Sequence, residues 1–450
     1  MSLIGLDIGT TTLCGLLYYR NDLYPSKVAV RPNTFIPGDT GEYLQDPEQI
    51  FRHIKSILDE LINEALDKIE GISLSTQMHG ILYVDRDGQS VSPYYTWQNQ
   101  RGLTKTGDKS LEKYVSDKLG YSVYTGYGIV THYSLDQDNL IPVNASSFCN
   151  IGDFVCMKLV EGRTPVTDVT IGNSMGICAV KTGRLVENVS SLSADCENFV
   201  PKLISTTTLL GNYKSIPVIQ PIGDNQASFL GSVKDKGRSL LINYGTAGQI
   251  SFHTESYNEF SGFETRPLGN EGFIHAAFSL GGGNSYKLMA RFFEETLKYF
   301  IPDSDIDCLG GMNNMELDFS KDDIDCMPLF LGKRGLESKT GYFRNITEEN
   351  FTPPNMVKAL VQGMVNEMYQ YYKALPERMK NRIDILIGAG NGIRKNPHLV
   401  KAVELKYGKS LRFLAVREES CLGAVINAGK GVGLFTDYDT AAAEIVKYLE

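Results

Sequence analysis

The most constraining feature of this sequence is a short phrase that occurs twice. The chain reads LIGLDIGTTTL near its start and LLINYGTAGQI in its second half, and the two align when Gly9-Thr10 is placed on Gly245-Thr246. Each copy predicts an apolar strand, a tight turn of Gly and Thr, and a second apolar strand. Backbone N–H groups in such turns bind phosphate oxygens. A phosphate-binding hairpin used twice therefore predicts a nucleotide held between two related halves.

Strand and helix patterns alternate through the rest of the chain, which predicts an α/β fold. The length of 450 residues exceeds one comfortable core, and the charged stretch KDKGR separates Val233 from the second hairpin. We therefore predict two domains, residues 1–234 and 235–450. Residues 301–327 are irregular and acidic and are predicted to be a surface excursion. The periodicity of apolar residues predicts strands at 3–8, 12–19, 70–75, 81–85, 217–222 and 383–387, and helices at 48–66, 285–299, 355–375, 397–407 and 439–449.

Composition excludes several classes of partner. The formal net charge of -9 argues against nucleic acid and against a basic membrane-surface helix. The sequence has no apolar run of about 18 residues and no basic leader. Its eight cysteines are scattered without a CxxC pair, which is typical of reduced core thiols. We expect a cytoplasmic protein, either a monomer or a homodimer, whose partner is a small molecule.

The two Gly-Thr turns supply the candidate phosphate ligands, because the chain has no GxxxxGK[ST] loop and no GxGxxG after its first strand. Threonine hydroxyls add donors to the backbone N–H groups. Asp7 could hold a magnesium ion through water. Alternatively, Asp and Gly serve only the geometry of a β-turn, but two copies in equivalent places favour phosphate binding. The candidate residues of the two turns are Gly9, Thr10, Thr11, Thr12, Gly245 and Thr246.

A carboxylate follows an apolar strand and opens a predicted helix in the segment Gly223-Asp224-Asn225-Gln226. Ligands of open α/β sheets gather at the carboxyl ends of strands. Asp224 placed there could accept a proton from a sugar hydroxyl as that oxygen attacks a phosphate. At a helix N-terminus it should also stay ionised at neutral pH. The alternative is a plain helix N-cap, for which Asp is among the favoured residues.

A polar turn, Gln77-Met78-His79-Gly80, lies between two predicted strands. Together with Trp97 and Arg101 it provides amide, imidazole and guanidinium donors beside an aromatic face, which suits a polyhydroxylated ligand. The alternative is a satisfied core histidine and a core tryptophan.

Two glycine runs each precede a predicted helix. They are Gly281-Gly282-Gly283-Asn284 and Gly388-Ala389-Gly390-Asn391-Gly392. Glycine at such places lets the backbone approach a flat or anionic ligand closely. The alternative is ordinary loop punctuation.

Taken together, these segments resemble the FGGY carbohydrate kinases of the actin-like ATPase superfamily, from residue 4 to about residue 435. The segment QMHG is similar to that of xylulokinases and sedoheptulokinases, and TWQNQR with Gly126-Tyr127-Gly128 is more like sedoheptulokinases. The matching segments are IGLDIGTTT, STQMHG, TWQNQR, GDNQAS, NYGTAGQIS, PLFLGKRG with GYFRNIT, IGAGNG and EESCLGAVINAG.

The resemblance implies two ribonuclease-H-like domains around a cleft, with the sugar in the first domain and adenosine in the second. It implies ATP and Mg²⁺ as cofactors and a ketose as phosphoryl acceptor, with sedoheptulose expected first and xylulose next. Asp224 matches the catalytic base, and Asp7 and Asp224 match the metal-associated carboxylates. The implied sugar-site residues are Gln77, Met78, His79, Trp97, Arg101 and Asp224. The implied ATP-site residues are Gly9, Thr10, Thr11, Thr12, Gly245, Thr246, Gly282, Gly388, Gly390 and Asn391.

The chain departs from the family pattern in three places. Cys14 stands where Lys or Arg is usual, Asn99 replaces a carboxylate, and the GER stretch reads Gly332-Lys333-Arg334. These departures leave open a relative of the kinases that has lost activity. A nucleotide-switched binding protein is a second alternative, because the actin-like fold also serves such proteins.

Overall fold

Two twisted β-sheets, one in each half of the chain, form the framework of the molecule. The structure is a computed structural model, and it describes residues 1–20, 26–193, 195–321, 324–330, 332 and 341–449.

The first sheet begins with the predicted hairpin, in which β1 and β2 pair antiparallel from Ser2↔Tyr19 to Ile8↔Leu13. The parallel neighbour of β1 is β4, so the sheet runs in the order β5-β6-β4-β1-β2-β3, and β7 pairs with the far end of β4. Its strands are β1 (Ser2–Ile8), β2 (Thr12–Tyr19), β3 (Lys27–Pro32), β4 (Ile69–Thr76), β5 (Leu209–Tyr213), β6 (Ile216–Ile219) and β7 (Ile222–Gly223).

The second sheet repeats this plan with the second hairpin. Here β8 pairs antiparallel with β9 and parallel with β12, and the order is β10-β11-β9-β8-β12-β13. The shared arrangement of a hairpin and a parallel neighbour confirms the α/β class and explains why the phrase recurs in the sequence. The strands are β8 (Ser239–Tyr244), β9 (Gly248–Thr254), β10 (Glu264–Pro267), β11 (Phe273–Ser279), β12 (Ile385–Ala389) and β13 (Leu411–Phe413).

Helices pack on the sheets, and some of them begin or end beside the cleft. The longer ones are α1 (Pro47–Glu64), α2 (Leu111–Leu119), α3 (Gly128–Gln137), α4 (Ile151–Leu159), α5 (Val169–Met175), α6 (Asp224–Ser232), α7 (Gly283–Phe300), α8 (Pro353–Lys373), α9 (Pro397–Tyr407), α10 (Glu419–Gly431) and α11 (Tyr438–Ile445). Shorter helical turns are Arg101–Leu103, Val189–Ser191, Cys196–Phe199, Cys308–Asn313, Glu377–Arg382 and Asn391–Arg394. Short ribbon strands are Leu44–Gln45, Leu82–Val84, Tyr94–Tyr95, Lys105–Thr106, Lys109–Ser110, Ser147–Cys149, Val166–Asp168, Cys178–Ala179, Arg184–Leu185, Lys202–Ile204, Asp325–Met327 and Tyr342–Arg344.

Local sequence explains where α1 begins and which face it buries. The Asp46 side chain accepts hydrogen bonds from the N–H groups of Glu48 and Gln49, and Pro47 occupies the first helical position. The isoleucines and leucines of its apolar face are buried against the first sheet.

Helices α6 and α10 pack together between the two sheets. A Cβ atom on Gly231 would overlap the carbonyl oxygen of Glu419, and one on Gly423 would overlap that of Ala227. These two glycines therefore let the helix backbones approach each other directly. The surrounding apolar core contains Leu3 of the first sheet as well as residues of the second. The division at 234/235 stays a prediction, and the core at that boundary is shared by both halves.

Several predicted elements differ from the observed ones. Residues 301–327 do not simply cover the surface, because Met312 and Ile324 are buried in the core of the second half. The strand predicted at 217–222 is interrupted between β6 and β7. The helix predicted at 439–449 ends at Ile445, after which Tyr448 bridges to Leu414.

Other sequence expectations concern the cysteines and the membrane. All eight cysteines lie in described segments, and each is a free thiol. Across the described ranges, no helix is both long enough and apolar enough to cross a bilayer.

Candidate active site

The first Gly-Thr turn is held by its own backbone and by side chains from two neighbouring segments. The N–H of Gly9 donates to the carbonyl of Thr12 at 3.0 Å, which closes the turn. The Asn33 amide donates to the carbonyl of Gly9 at 2.8 Å, and the Gln45 amide donates to that of Thr10 at 2.7 Å. The turn is therefore fixed before any ligand arrives, as a phosphate site requires.

The second Gly-Thr turn is packed against both glycine runs. The N–H of Gly283 donates to the carbonyl of Gly245 at 3.0 Å. A Cβ on Gly282 would overlap Ala247, and one on Gly390, whose φ is 83°, would meet Asn243 and Tyr244. Glycine is required here because the three loops touch backbone to backbone.

Beside this junction is a cavity of about 400 Å³. Its walls include the turn, the start of α7, and both helices that follow β12. Among the residues that line it are Gly245, Thr246, Gly283, Tyr286, Lys287, Asn391, Gly392 and Lys395. A cavity of this size with glycine backbone and a lysine at its edge fits a nucleoside with phosphate groups.

The two predicted carboxylates meet at one edge of the first sheet. Asp7 lies opposite Ser75 across β1 and β4, and Gly223, which precedes Asp224, lies opposite Thr76 across β7 and β4. The Ser75 hydroxyl donates to Asp7 Oδ1 at 2.6 Å. The N-cap of α6 is Gly223 rather than Asp224, and Asp224 is the first helical residue. The alternative that Asp224 serves as the cap is therefore wrong.

The pKa values of both carboxyl groups are raised. Burial raises the pKa of Asp7 to about 7, the Ser75 hydrogen bond opposes this shift, and the Asp224 carboxylate adds to it. Burial raises the pKa of Asp224 to about 6, while the charge of Arg266 and the N–H of Asn225 act in the opposite direction. At a pKa of about 6 the Asp224 carboxyl group is still mostly ionised at neutral pH, although its place at a helix N-terminus does not outweigh desolvation.

The donor set fits a hydrated magnesium ion. The Asp224 carboxylate raises the proton affinity of Asp7, and a dication near both groups would relieve this repulsion. Within the described residues, no group of three or more His, Cys, Asp or Glu side chains could bind a metal directly. Two carboxylates and several retained waters are the pattern that magnesium prefers with phosphates.

The polar turn after β4 forms the floor of a second cavity. His79 has a φ of 76°, a strained conformation for a residue other than glycine. Its ring bonds through Nδ1 to the carbonyl of Ser174 at 2.8 Å and stacks on Tyr127 at 4.5 Å. The Asn150 amide donates to the carbonyls of Gln77 and Gly80 at 3.1 and 3.2 Å. The strained turn is thus held from several sides.

Trp97 and the GYG segment join this turn to the first phosphate turn. The Trp97 indole N–H donates to Thr10 Oγ1 at 2.9 Å, and Gln77 Oε1 lies 3.4 Å from the same hydroxyl. A Cβ on Gly126, whose φ is 87°, would overlap the carbonyl of Trp97. Glycine at 126 therefore lets the tryptophan loop lie directly on the segment that carries Tyr127.

Arg101 lies away from these groups. Its guanidinium forms ion pairs with Glu42 at 2.6 Å and Asp138 at 3.1 Å. The fully buried Asn99 accepts from the N–H of Arg101 and donates to the carbonyl of Glu42. The geometry gives both residues a part in holding the tryptophan loop, and Arg101 does not line the second cavity.

The second cavity has a volume of about 960 Å³ and lies between the halves. Met78, His79, Tyr127 and Ser174 line it from the first half. The second half contributes Arg266, which no motif marks and which we did not predict. Only the pairing of β10 with the second sheet places this side chain beside Asp224.

Arg266 is held firmly in the cavity wall. It is 9% exposed, donates to Glu264 at 2.9 Å and lies 5.1 Å from the centre of the Phe278 ring. One of its N–H groups reaches the sulfur of Met78 at 3.9 Å. A preorganised guanidinium of this kind suits recognition of oxygen-rich ligands.

The three departures from the family pattern have different places. Cys14 pairs across the hairpin with Asp7. A hydrogen bond with Cys14, together with burial, raises the pKa of the Cys421 thiol. Lys333 and Arg334 lie outside the described residues. Where the family pattern has a cation, the hairpin thus carries the Cys14 thiol of β2, which bonds to the Cys421 thiol near the start of α10.

Residues 2–231 match the model of the N-terminal domain of the FGGY family of carbohydrate kinases. A gluconokinase from Bacillus licheniformis is 22% identical over 269 residues, which cover 55% of this chain and 51% of that protein. The chain thus spans about half the length of the curated gluconokinases it matches.

Longer matches link the chain to ketose kinases. A xylulose kinase from Staphylococcus xylosus is 21% identical, with 99% of this chain and 94% of that protein covered. A sedoheptulokinase from Mus musculus is 20% identical, with 96% of each chain covered.

Solved structures show the same fold. The xylulose kinase from Lactobacillus acidophilus superposes with a TM-score of 0.83 at 18% identity, over 100% of this chain and 93% of that one. The gluconate kinase from Lactobacillus acidophilus gives the same TM-score at 17% identity, over 100% and 92%. The expected fold of two ribonuclease-H-like domains is confirmed.

Proposed function

The chain belongs to the FGGY family of carbohydrate kinases, and on that premise we propose that it transfers the γ-phosphoryl group of ATP to the terminal hydroxyl of a ketose. Sedoheptulose is the substrate we propose first and xylulose second. The observation that carries the proposal is the meeting of Asp7 and Asp224 beside the first phosphate turn. In this proposal the two carboxylates lie at the point where the sugar hydroxyl and the γ-phosphate of ATP would meet.

The proposed sugar site is the inner end of the larger cavity. His79 and Arg266 present donors there, and Met78 provides an apolar wall. Such a mixture suits a polyhydroxylated chain, since its hydroxyl groups need hydrogen-bond partners and its carbon atoms need apolar contacts. The match to a xylulose kinase and a sedoheptulokinase over nearly their full length supports a ketose as the substrate.

Asp224 is the proposed general base. It stands at the start of α6 and, with a pKa of about 6, is mostly ionised at pH 7 and still basic enough to take a proton. Gly245, Thr246, Gly282, Gly388, Gly390 and Asn391 are proposed to hold the nucleotide, with Gly9, Thr10, Thr11 and Thr12 facing its phosphates. The magnesium ion, held by Asp7 and Asp224, would neutralise phosphate charge. Water exclusion by closure of the halves would limit hydrolysis of ATP.

A coupled ADP-release assay tests the proposal. The panel contains sedoheptulose, xylulose, other ketoses, polyols and gluconate. We expect ADP release only with a ketose, and a loss of at least 100-fold in kcat for Asp224→Asn, the usual size of a general-base contribution. Asp46→Asn makes the same substitution at the start of α1, where Asn caps equally well, and should keep full activity.

Other outcomes would replace the proposal. Gluconate-dependent release would favour the activity named for the gluconokinases that match part of the chain. ADP release without any sugar would favour a nucleotide-switched protein of the same fold. Retention of most activity by a folded Asp224→Asn variant would show that the base lies elsewhere.

A further inference from the structure

Helix α5 contacts both parts of the candidate active site, although none of its residues belongs to a motif described above. At its first turn, Thr170 Oγ1 accepts the N–H of Gly223 at 3.1 Å. At its last turn, Ser174 Oγ accepts the N–H of His79 at 3.3 Å, and the Ser174 carbonyl bonds to His79 Nδ1 at 2.8 Å. One short helix therefore holds Gly223, which precedes Asp224, and His79, the strained residue of the polar turn, which we call the sugar turn from here on.

Both ends of α5 are fixed. The Asp168 side chain caps the start by accepting from the N–H groups of Thr170 and Ile171 at 3.1 and 3.0 Å. The end is closed by Gly176, which has a φ of 81° and whose carbonyl accepts the Tyr121 hydroxyl. Because α5 is capped at both ends, the distance between Thr170 and Ser174 is fixed.

The proton of the Thr170 hydroxyl sets the direction of its bonds. Thr170 Oγ1 donates to Asp168 Oδ1 at 2.7 Å, so the same oxygen has only lone pairs left for the Gly223 N–H. Gly223 is the N-cap of α6 and has no side chain with which to restrain Asp224. Thr170 is 1% exposed, so water cannot replace the bond.

The contacts of Ser174 parallel those of Thr170. Its hydroxyl donates to the carbonyl of Ile171 at 2.8 Å and so offers a lone pair to His79. The φ of 76° at His79 stores strain that these contacts offset.

We propose that α5 is a positioning brace, in which Thr170 fixes the catalytic base and Ser174 fixes the sugar turn. The inference rests on the proposed function. Thr170 and Ser174 act through Asp224 and His79. Ser174 also lines the larger cavity, but its hydroxyl already donates to Ile171 and accepts from the N–H of His79. A base that acts only as the phosphoryl group transfers affects kcat, whereas a group that binds the sugar in both ground and transition states affects KM. The two ends of one helix should therefore separate in steady-state kinetics.

Three variants test the separation. Thr170→Val should lower kcat about tenfold and leave the sugar KM unchanged, because it removes the hydroxyl that accepts the Gly223 N–H and donates to Asp168. Thr170→Ser, which keeps the hydroxyl, should restore kcat. Ser174→Ala should raise the sugar KM about fivefold at unchanged kcat, since the Ser174 carbonyl still bonds to His79. The KM for ATP should not change in any of them.

Matched controls exclude a general loss of structure. Thr167→Val makes the same change at a fully buried threonine three residues before Thr170. Ser116 in α2 also donates to a carbonyl of its own helix and accepts a distant N–H, from Val123 at 3.0 Å, so Ser116→Ala is the control for Ser174. Neither control should move kcat or KM.

Binding gives a readout that does not depend on turnover. Trp97 is the only tryptophan and lies in the candidate site, so its fluorescence can report the sugar dissociation constant. Ser174→Ala should weaken sugar binding about fivefold, and Thr170→Val should not. Equal changes in kcat and KM for both variants, or no change in either, would overturn the brace. Sugar binding by a wild-type protein that releases no ADP would instead refute the proposed function, and the dissociation constants would still decide the Ser174 end.

Discussion

The clearest quantitative prediction concerns Asp7→Asn, which we expect to stabilise the protein at alkaline pH. The folded carboxyl group has a pKa of about 7, against 3.8 for the ordinary side chain. Between these values the folded protein keeps a proton that the unfolded chain has released, so stability falls as pH rises from about 4 to about 7. Asn removes this loss and still accepts the Ser75 hydrogen bond.

The magnitude follows from the shift. At about 1.36 kcal/mol per pKa unit, the loss is about 1.6 kcal/mol at pH 5 and about 4 kcal/mol at pH 8. The variant should therefore gain about 3 kcal/mol more at pH 8 than at pH 5. Asp7 is only partly buried. Water in the cleft screens the charge, so we halve this figure to about 1.5 kcal/mol.

Urea unfolding of both proteins at pH 5 and pH 8, with a chelator present, measures the difference. Added magnesium should restore part of the wild-type stability at pH 8 and leave the variant unchanged. Asp117→Asn is the control of opposite sign, because Lys109 and Lys113 lower the pKa of that exposed carboxyl group. An equal gain for Asp7→Asn at the two pH values would refute the reasoning.

Two further predictions concern binding. Arg266→Met should raise the sugar KM more than tenfold while the ATP KM stays constant, because a buried guanidinium is lost from the cavity wall. Arg266→Lys should recover only part of the sugar affinity. An unchanged sugar KM would show that Arg266 is not part of the sugar site. Gly390→Ala should weaken ADP binding measured by calorimetry, because Gly390 has a φ of 83° and a Cβ there would meet Asn243 and Tyr244. Gly408→Ala is the control: Gly408 also has a positive φ but lies in open space, so this change should leave the ADP affinity unchanged.

Local patterns predicted the framework well because they depend on neighbours in the chain. The doubled phrase gave two hairpins, since alternating apolar residues around a Gly-Thr turn have few other ways to fold. The meeting of Asp7 and Asp224 was also predictable. Asp7 lies near the carboxyl end of β1 and Asp224 directly follows β7. Both strands pair with β4, and the carboxyl ends of such strands share one edge.

Features that depend on distant parts of the chain were not predictable. Arg266 reaches Asp224 only because β10 joins the far sheet, and no pattern in one sequence encodes that pairing. Arg101 finds carboxylate partners at Glu42 and Asp138 rather than the cavity. Met312 is buried within an acidic stretch because its helical turn packs against α7 in the core of the second half. The raised pKa of Asp224 follows from burial, which only the tertiary structure sets.

The close contact of Gly231 with α10 has a consequence for motion in this molecule. If the two halves rotate, a backbone contact with no side chain between the helices is the natural pivot, because separating it would open a gap in the shared core. Asp224 lies seven residues earlier in the same helix, on a short lever arm of about 10 Å. Rotation about this contact would therefore displace the base little, so the carboxylate could stay aligned with the sugar while the halves move apart.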